Sequence, residues 1–256
     1  MARTTALEKE RSTLEANLAL TGAVQKFFLP KSFDDDHPTL RFSGDYHAAQ
    51  VCGGDWVHYE RPSADSLTLL IGDVTGHGAA AAMITAAAAS RYGAFRQLMP
   101  GASLKEAFLD LNRYLRELAA GEYQMTLTGF TLDARAMTLV GVTAGAPPCF
   151  LLRQGKLQTL TAPSTPLGDE NFVIGDLATA LEPHDRLVVF TDGISELELD
   201  NGRQLGLKGL SKLMLATAAM PVRAARDSVV SSLKSTLGAR APADDLTLAM
   251  VDVERA

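Results

Sequence analysis

The sequence predicts an α+β fold in which one antiparallel sheet packs on another, with helices outside. Two patterns point to it. From Thr39 onward, short apolar or alternating segments of strand length come in runs, and helical segments interrupt them in pairs. Alternating βαβ units would interleave single helices with single strands instead. No internal repeat or low-complexity linker follows residue 39, so one domain is the economical reading.

Residues 6–29 read as one helix, rich in Glu, Lys, Arg, Leu and Ala and ended by Pro30. Spacing by seven aligns Leu7, Leu14, Thr21 and Phe28, with Leu18 between. Arg11 and Gln25 interrupt the seam, and Gly22 sits mid-helix. Such a helix either packs its apolar face on its own domain, or pairs with a second copy or an upstream signalling helix. The organisation expected is an N-terminal linker helix over 1–30 and a domain over 31–256, with 31–38 (Asp34-Asp35-Asp36-His37) as loop.

Strands are expected at 67–71, 127–132, 138–142, 149–152, 186–190 and 246–253. Gln154-Gly155 and Asn201-Gly202 supply turns. One helix pair is expected at 79–98, very rich in Ala, and 103–119, opened by a Ser103/Glu106 capping box. A second pair is expected at 207–219 and 222–237.

With 46% hydrophobic residues the chain can fill a sizeable core. A net charge of −6 argues against a broad grip on nucleic acid or an acidic membrane surface. Cys52 and Cys149 are too few for a disulfide framework or a cysteine-rich zinc site, which points to a reducing, cytoplasmic setting. No apolar run approaches the roughly 20 residues that span a bilayer. Charged residues follow Met1-Ala2-Arg3-Thr4-Thr5-Ala6 in place of an apolar signal core, so no membrane insertion is expected. An upstream sensor in a longer protein stays open.

Four acidic positions share a context. Asp55 lies in Cys52-Gly53-Gly54-Asp55-Trp56, and Asp73 ends an apolar strand in Gly72-Asp73-Val74-Thr75-Gly76-His77-Gly78. Asp192 follows another in Thr191-Asp192-Gly193, and Asp244-Asp245 immediately precede Leu246–Val251. Carboxylates at strand ends beside glycines can converge on one rim of a sandwich, because glycine lets the backbone turn sharply and approach a ligand. Gathered without Arg or Lys, they repel one another unless hard cations such as Mg²⁺ or Mn²⁺ neutralise them. A lone Asp beside Gly is usually a turn residue. It is the recurrence of the context that suggests one or two divalent ions.

Gly53-Gly54-Asp55 and Ile71-Gly72-Asp73-Val74-Thr75-Gly76-His77-Gly78 resemble the opening motifs of SpoIIE/RsbU-type bacterial phosphatases of the metal-dependent serine/threonine (PPM) family. Thr191-Asp192-Gly193-Ile194-Ser195-Glu196 and Ala243-Asp244-Asp245-Leu246-Thr247 resemble the closing motifs, in the same order. Pro166-Leu167-Gly168, residues 181–187 and the helix end at 25–30 are also similar. The resemblance implies a four-layer αββα sandwich holding two Mn²⁺ or Mg²⁺ ions. Asp55, Asp73 and the Val74 carbonyl would hold the first ion. Asp73, Asp192 and Asp244 would hold the second, with Asp245 the alternative to Asp244. It further implies hydrolysis of phosphoserine or phosphothreonine by a metal-activated water. The substrate implied is a phosphorylated regulatory protein, such as an anti-sigma-factor antagonist of the STAS fold. An upstream activator and a homodimer through the N-terminal helix are further implied partners.

A cysteine phosphatase does not fit, because a Cys-x₅-Arg loop would need arginine where His58 and Gly155 stand. The chain departs from many relatives in carrying Thr143-Ala144-Gly145-Ala146 in place of Asn-Ala-Gly-His. That touches substrate contacts, not the metal ligands. Trp56 reads as a packing or rim residue and Glu196 as a supporting one. His77 donates to a phosphate, serves as a general acid, or stabilises its turn. A non-catalytic or activator-dependent signalling module with the same fold is the competing class, and a small-molecule phosphoesterase a third.

Overall fold

The computed structural model describes residues 12–13, 16 and 18–254. Among these residues, eleven strands form two antiparallel sheets. The first sheet runs, in spatial order, β1 (Asp34–Asp36), β2 (Leu40–His47), β11 (Leu246–Val253), β10 (Arg186–Phe190), β7 (Cys149–Arg153) and β8 (Lys156–Leu160). The second runs β3 (Trp56–Ser63), β4 (Ser66–Val74), β5 (Met125–Asp133), β6 (Thr138–Ala144) and β9 (Gly175–Ala180). Helices α1 (Ala79–Leu98) and α2 (Leu104–Ala119) cover the second sheet. The short α3 (Asp192–Ser195) follows β10, and α4 (Gly206–Ala216) and α5 (Val222–Leu237) cover the first sheet. The expected αββα sandwich is the observed one.

Period-2 alternation explains the layers. Along β4, Leu67, Leu69 and Ile71 enter the core between the sheets, while Leu70 and Val74 pack under the helices with Tyr92 and Phe108. Along β11, Ala249, Val251 and Val253 face inward. Leu246, Leu248 and Met250 pack against Leu210, Val229 and Leu233 of α4 and α5. Both faces are buried, so these strands read in the sequence as nearly continuous apolar runs. Helix α1 buries Ala81, Thr85, Ala88 and Tyr92, one stripe at 4-3-4 spacing whose small members let the helix lie close to the sheet. The capping box of α2 forms: Ser103 N–H donates to Glu106 Oε2 at 2.7 Å, and Glu106 N–H donates to Ser103 Oγ at 3.2 Å.

Residues 18–25 are helical and a 3₁₀ turn, Lys26–Phe28, completes the element before Pro30; residues 6–11, 14, 15 and 17 of the expected helix, Leu7 and Leu14 of its seam among them, lie outside the described residues. Gly22 backs onto Val51, where a Cβ would strike the Val51 carbonyl. The expected loop 31–38 contains a strand instead. Asp34–Asp36 pairs with Arg41–Ser43 at the sheet edge, against the low strand propensity of Asp. Neighbouring donors compensate: Ser43 Oγ lies 2.6 Å from Asp34, Arg61 2.6 Å from Asp35 and Arg223 2.9 Å from Asp36. Strands β2, β3, β8 and β9 carry too many polar residues to stand out in the sequence. The helix expected to reach 219 stops at Ala216.

Candidate metal centre

Antiparallel pairing assembles the rim. Trp56 opens β3 opposite Gly72 near the end of β4, so Asp55 and Asp73 are neighbours on the second sheet. Phe190 ends β10 opposite Leu248 near the start of β11, so Asp192 and Asp244 are neighbours on the first. Face-to-face packing of the sheets closes the gap. Carboxylate oxygens of Asp73, Asp192 and Asp244 lie within 4.8 Å of one another.

Asp55 lies beneath this triad, fully buried. Thr191 donates its hydroxyl to Asp55 Oδ2 at 2.9 Å, and Thr247 donates to the same oxygen. Both threonines are inward positions of β10 and β11 by parity, continuing Leu187-Val189 and Ala249-Val251. Asp55 Oδ1 and Asp73 Oδ1 are buried and have no hydrogen-bond partner among the described residues. Sequence reasoning missed the two threonines; the signal was their place in the alternation, one step beyond the last inward apolar residue.

The paired Asp244 and Asp245 have different surroundings. Asp245 is buried and spent on backbone: Ala49 N–H donates to Oδ1 at 2.7 Å and Asp55 N–H donates to Oδ2 at 3.3 Å. It thereby pins the loop carrying Gly53-Gly54-Asp55. Asp244 is half-buried in the triad and accepts one bond, from Asp245 N–H at 2.8 Å.

The glycines leave room for these carboxylates. A Cβ on Gly54 would lie 2.6 Å from the Val74 carbonyl oxygen and 2.7 Å from Asp73 Oδ1, and one on Gly53 would collide with the Asp245 carboxylate. Two helices hold the same loop from outside. Gln25 Nε2 donates to the Gly53 carbonyl at 2.6 Å, and Gly53 N–H donates to Gln25 Oε1 at 3.1 Å. Thr85 Oγ1 of α1 donates to the Gly54 carbonyl at 2.6 Å.

Burial and mutual repulsion dominate the electrostatics. Burial, then the charges of Asp192, Asp244 and Asp245, push Asp73 up to about 8. Burial and the charge of Asp73 raise Asp55 well above the carboxylate range, against the Thr247 and Thr191 hydrogen bonds. Asp192 is raised by burial and Glu196, and Asp244 by burial and then Asp245, with His77 acting in the opposite sense on Asp244. Burial is the strongest influence on all four, and every charge that raises them is a carboxylate. All-oxygen donors with orphaned buried oxygens are what a hard divalent cation neutralises, so these residues fit such an ion.

The remaining sequence candidates fall around this centre. His77 is exposed and held by Gln50 Nε2, 2.9 Å from Nδ1. Trp56 is buried against Tyr92 of α1, ring centroids 5.6 Å apart, away from the rim. Glu196 is exposed and lines a groove of about 500 Å³ that also borders Asp244, Gly193 and Arg240. Thr143 pairs its hydroxyl with Thr128 at 3.0 Å, and Gly145, φ +65°, packs on Pro166. Cys52 and Cys149 are buried free thiols.

Comparison with known proteins agrees with this architecture. The chain is 24% identical over 243 residues to the phosphoserine phosphatase RsbP of Bacillus subtilis, covering 93% of this chain but only 58% of RsbP. The SiaA-PP2C domain of Pseudomonas aeruginosa superposes with a TM-score of 0.84 at 18% identity, over 96% of this chain and 99% of that one. The catalytic domain of the serine/threonine phosphatase PstP, solved with two manganese ions, superposes with a TM-score of 0.65 at 16% identity, over 84% and 99%. The model of the Stage II sporulation protein E family matches residues 63–254, a span that includes Asp73, Asp192 and Asp244. With three quarters of its length inside that match, the chain belongs to the SpoIIE family.

Proposed function

We propose that the chain is a metal-dependent protein serine/threonine phosphatase acting on a phosphorylated regulatory protein. The observation that carries this is the triad of carboxylates within 4.8 Å, built on the SpoIIE-family fold with no arginine or lysine among the main influences on its charge. RsbP, its relative, is a phosphoserine phosphatase, and PstP holds two manganese ions.

Asp55, Asp73 and the Val74 carbonyl would hold one Mn²⁺ or Mg²⁺, and Asp73, Asp192 and Asp244 a second. When bound, such ions supply a water acidic enough to attack phosphorus and positive charge for the phosphoryl oxygens. The protein's part is to hold the oxygens in place. Thr191 and Thr247 fix one oxygen of Asp55 and leave the other free. Asp245 locks the loop that carries Asp55, and Gly54 lets Asp73 and Val74 approach it. The groove beside Asp244 is bordered by the exposed residues Glu196, Glu198, Ala241 and Ala243. This accessible rim favours a side chain presented by a protein over a small ester enclosed in a pocket.

The finer reading is a STAS-type anti-sigma-factor antagonist as substrate, in the cytoplasm. No helix among the described residues is long and apolar enough to cross a membrane. Residues 1–30 are read as a linker helix serving dimerisation or an upstream sensor, and 31–256 as the phosphatase domain. One observation favours the activator-dependent alternative: Gln25 of the N-terminal helix holds Gly53, two residues from Asp55.

The test is Mn²⁺-dependent phosphate release from p-nitrophenyl phosphate and a phosphoserine protein, beside Asp73→Asn. Release that requires Mn²⁺ and is lost in the variant is expected. Mn²⁺ bound at the site without release from either substrate would move the assignment to the activator-dependent or non-catalytic module.

A further inference from the structure

The orphaned oxygens of Asp55 and Asp73 find a use in cation binding, but a third buried orphan does not. The Tyr46 hydroxyl is inaccessible to solvent and has no hydrogen-bond partner among the described residues. Tyr46 lies on β2 as the register partner of Thr247, and by alternation shares the inward face of Leu40 and Phe42. Its hydroxyl therefore enters the space between the sheets at the same rim. The charged groups that act on it are Asp245, Asp55, Cys52 and Asp73, in that order.

The hydroxyl makes no bond to Asp245, whose two oxygens each accept a backbone N–H. Burial, reinforced by the surrounding carboxylates, holds the phenol protonated, so it is a hydrogen-bond donor without an acceptor. A buried donor left unmade is destabilising, and such groups usually meet an ordered water or a ligand. Mg²⁺ and Mn²⁺ bring water into a carboxylate site, because Mg²⁺ in particular dehydrates reluctantly.

We propose that Tyr46 is a positioning residue whose hydroxyl finds its acceptor only in the water that accompanies a divalent cation at the Asp55–Asp73 end of the site. This rests on reading the carboxylates as a cation site. Tyr46 strengthens cation binding without touching the ion, and its hydroxyl contributes nothing favourable when the site holds none.

Mn²⁺ titration calorimetry and thermal melting of the full chain test this in the wild type, Tyr46→Phe and Asp73→Asn. Phenylalanine keeps the ring and its packing. Tyr46→Phe is expected to bind Mn²⁺ on the order of tenfold more weakly, the range for groups that orient a metal's surroundings. Its melting temperature without Mn²⁺ should equal or exceed the wild-type value, and the rise on adding Mn²⁺ should be smaller. Unchanged Mn²⁺ affinity, with melting temperatures shifted equally with and without the ion, would make Tyr46 a packing residue and overturn the inference. Equal Mn²⁺ binding by wild type and Asp73→Asn would instead remove the cation site itself, a result distinguishable from the failure of Tyr46 alone.

Discussion

The two ends of the sandwich use the same residue type in opposite ways. At the end where β10 finishes and β11 begins, Asp55, Asp73, Asp192 and Asp244 gather under the influence of burial and one another's charge. At the end where β10 begins and β11 finishes, the buried Asp185 and the half-buried Asp252 are matched by arginine forks. Arg153 binds both oxygens of Asp185 at 2.8 and 2.7 Å, and Arg186 Nη2 lies 2.8 Å from Asp252 Oδ2. Arg186 also donates to the Thr217 and Met220 carbonyls, tying the sheet to the end of α4. A carboxylate with its own guanidinium is a closed structural joint. One without a counter-charge requires a cation from solution.

The largest effect expected from this contrast is at the arginine end. Asp185→Ala removes the buried acceptor shared by Arg153 and the Glu182 N–H, while Arg153 keeps Glu182 and the Ala180 carbonyl, and should cost about 2–3 kcal/mol of stability. Mn²⁺ affinity measured on the folded fraction should not change. A matched loss of affinity would show that the two ends are not independent.

Asp73→Asn should do the reverse. Metal-free stability, measured by urea denaturation above pH 8 where Asp73 is ionised, should hold or rise because one repelling charge is gone. Activity should fall on the order of 100-fold or more, since even the neighbours of metal ligands are worth roughly 10–100-fold. A loss of stability as large as that for Asp185→Ala would erase the distinction between the ends.

Gln25→Ala leaves the Gly53 N–H and carbonyl without their partner. An unsatisfied buried group costs roughly 1–3 kcal/mol, so a loss near the lower end of that range is expected if water replaces the amide. A concomitant change in Mn²⁺-dependent turnover would tie the N-terminal helix to the site. Unchanged turnover would leave the contact purely structural.

The smallest effect is a drift with pH. The folded pKa of Asp73, about 8, lies far above the ordinary aspartate value. Its contribution to stability is therefore fully present below about pH 4 and lost as pH rises toward and through 8. The metal-free melting temperature should fall across that window, while saturating Mn²⁺ offsets the fall and binds more tightly as pH rises. Asp73→Asn should flatten the metal-free drift.

How much of this the sequence displayed depended on the local signal. Strands β4 and β11 were legible because both faces are apolar. The rim carboxylates were legible because a glycine marks Asp55, Asp73 and Asp192, and the start of an apolar strand marks Asp244. Strand β1 was hidden because three aspartates read as loop until the donors of Ser43, Arg61 and Arg223 are placed beside them. Adjacent Asp244 and Asp245 were inseparable by spacing, since their difference lies in which one the distant Ala49 and Asp55 amides reach. Thr191, Thr247 and Tyr46 needed the register of β2, β10 and β11, which only pairing supplies.

The Gln25 side chain acts toward Gly53 as a neighbouring strand would, offering one donor and one acceptor to a single residue's backbone. That arrangement has no half-made state. Turning the helix by one residue, about 100°, brings Val24 or Lys26 to the same place, and neither side chain can supply both partners. The register between the N-terminal helix and the Gly53–Asp55 loop is therefore discrete, like a tooth in a notch. Small axial twists are resisted by both bonds together, and larger ones release both at once.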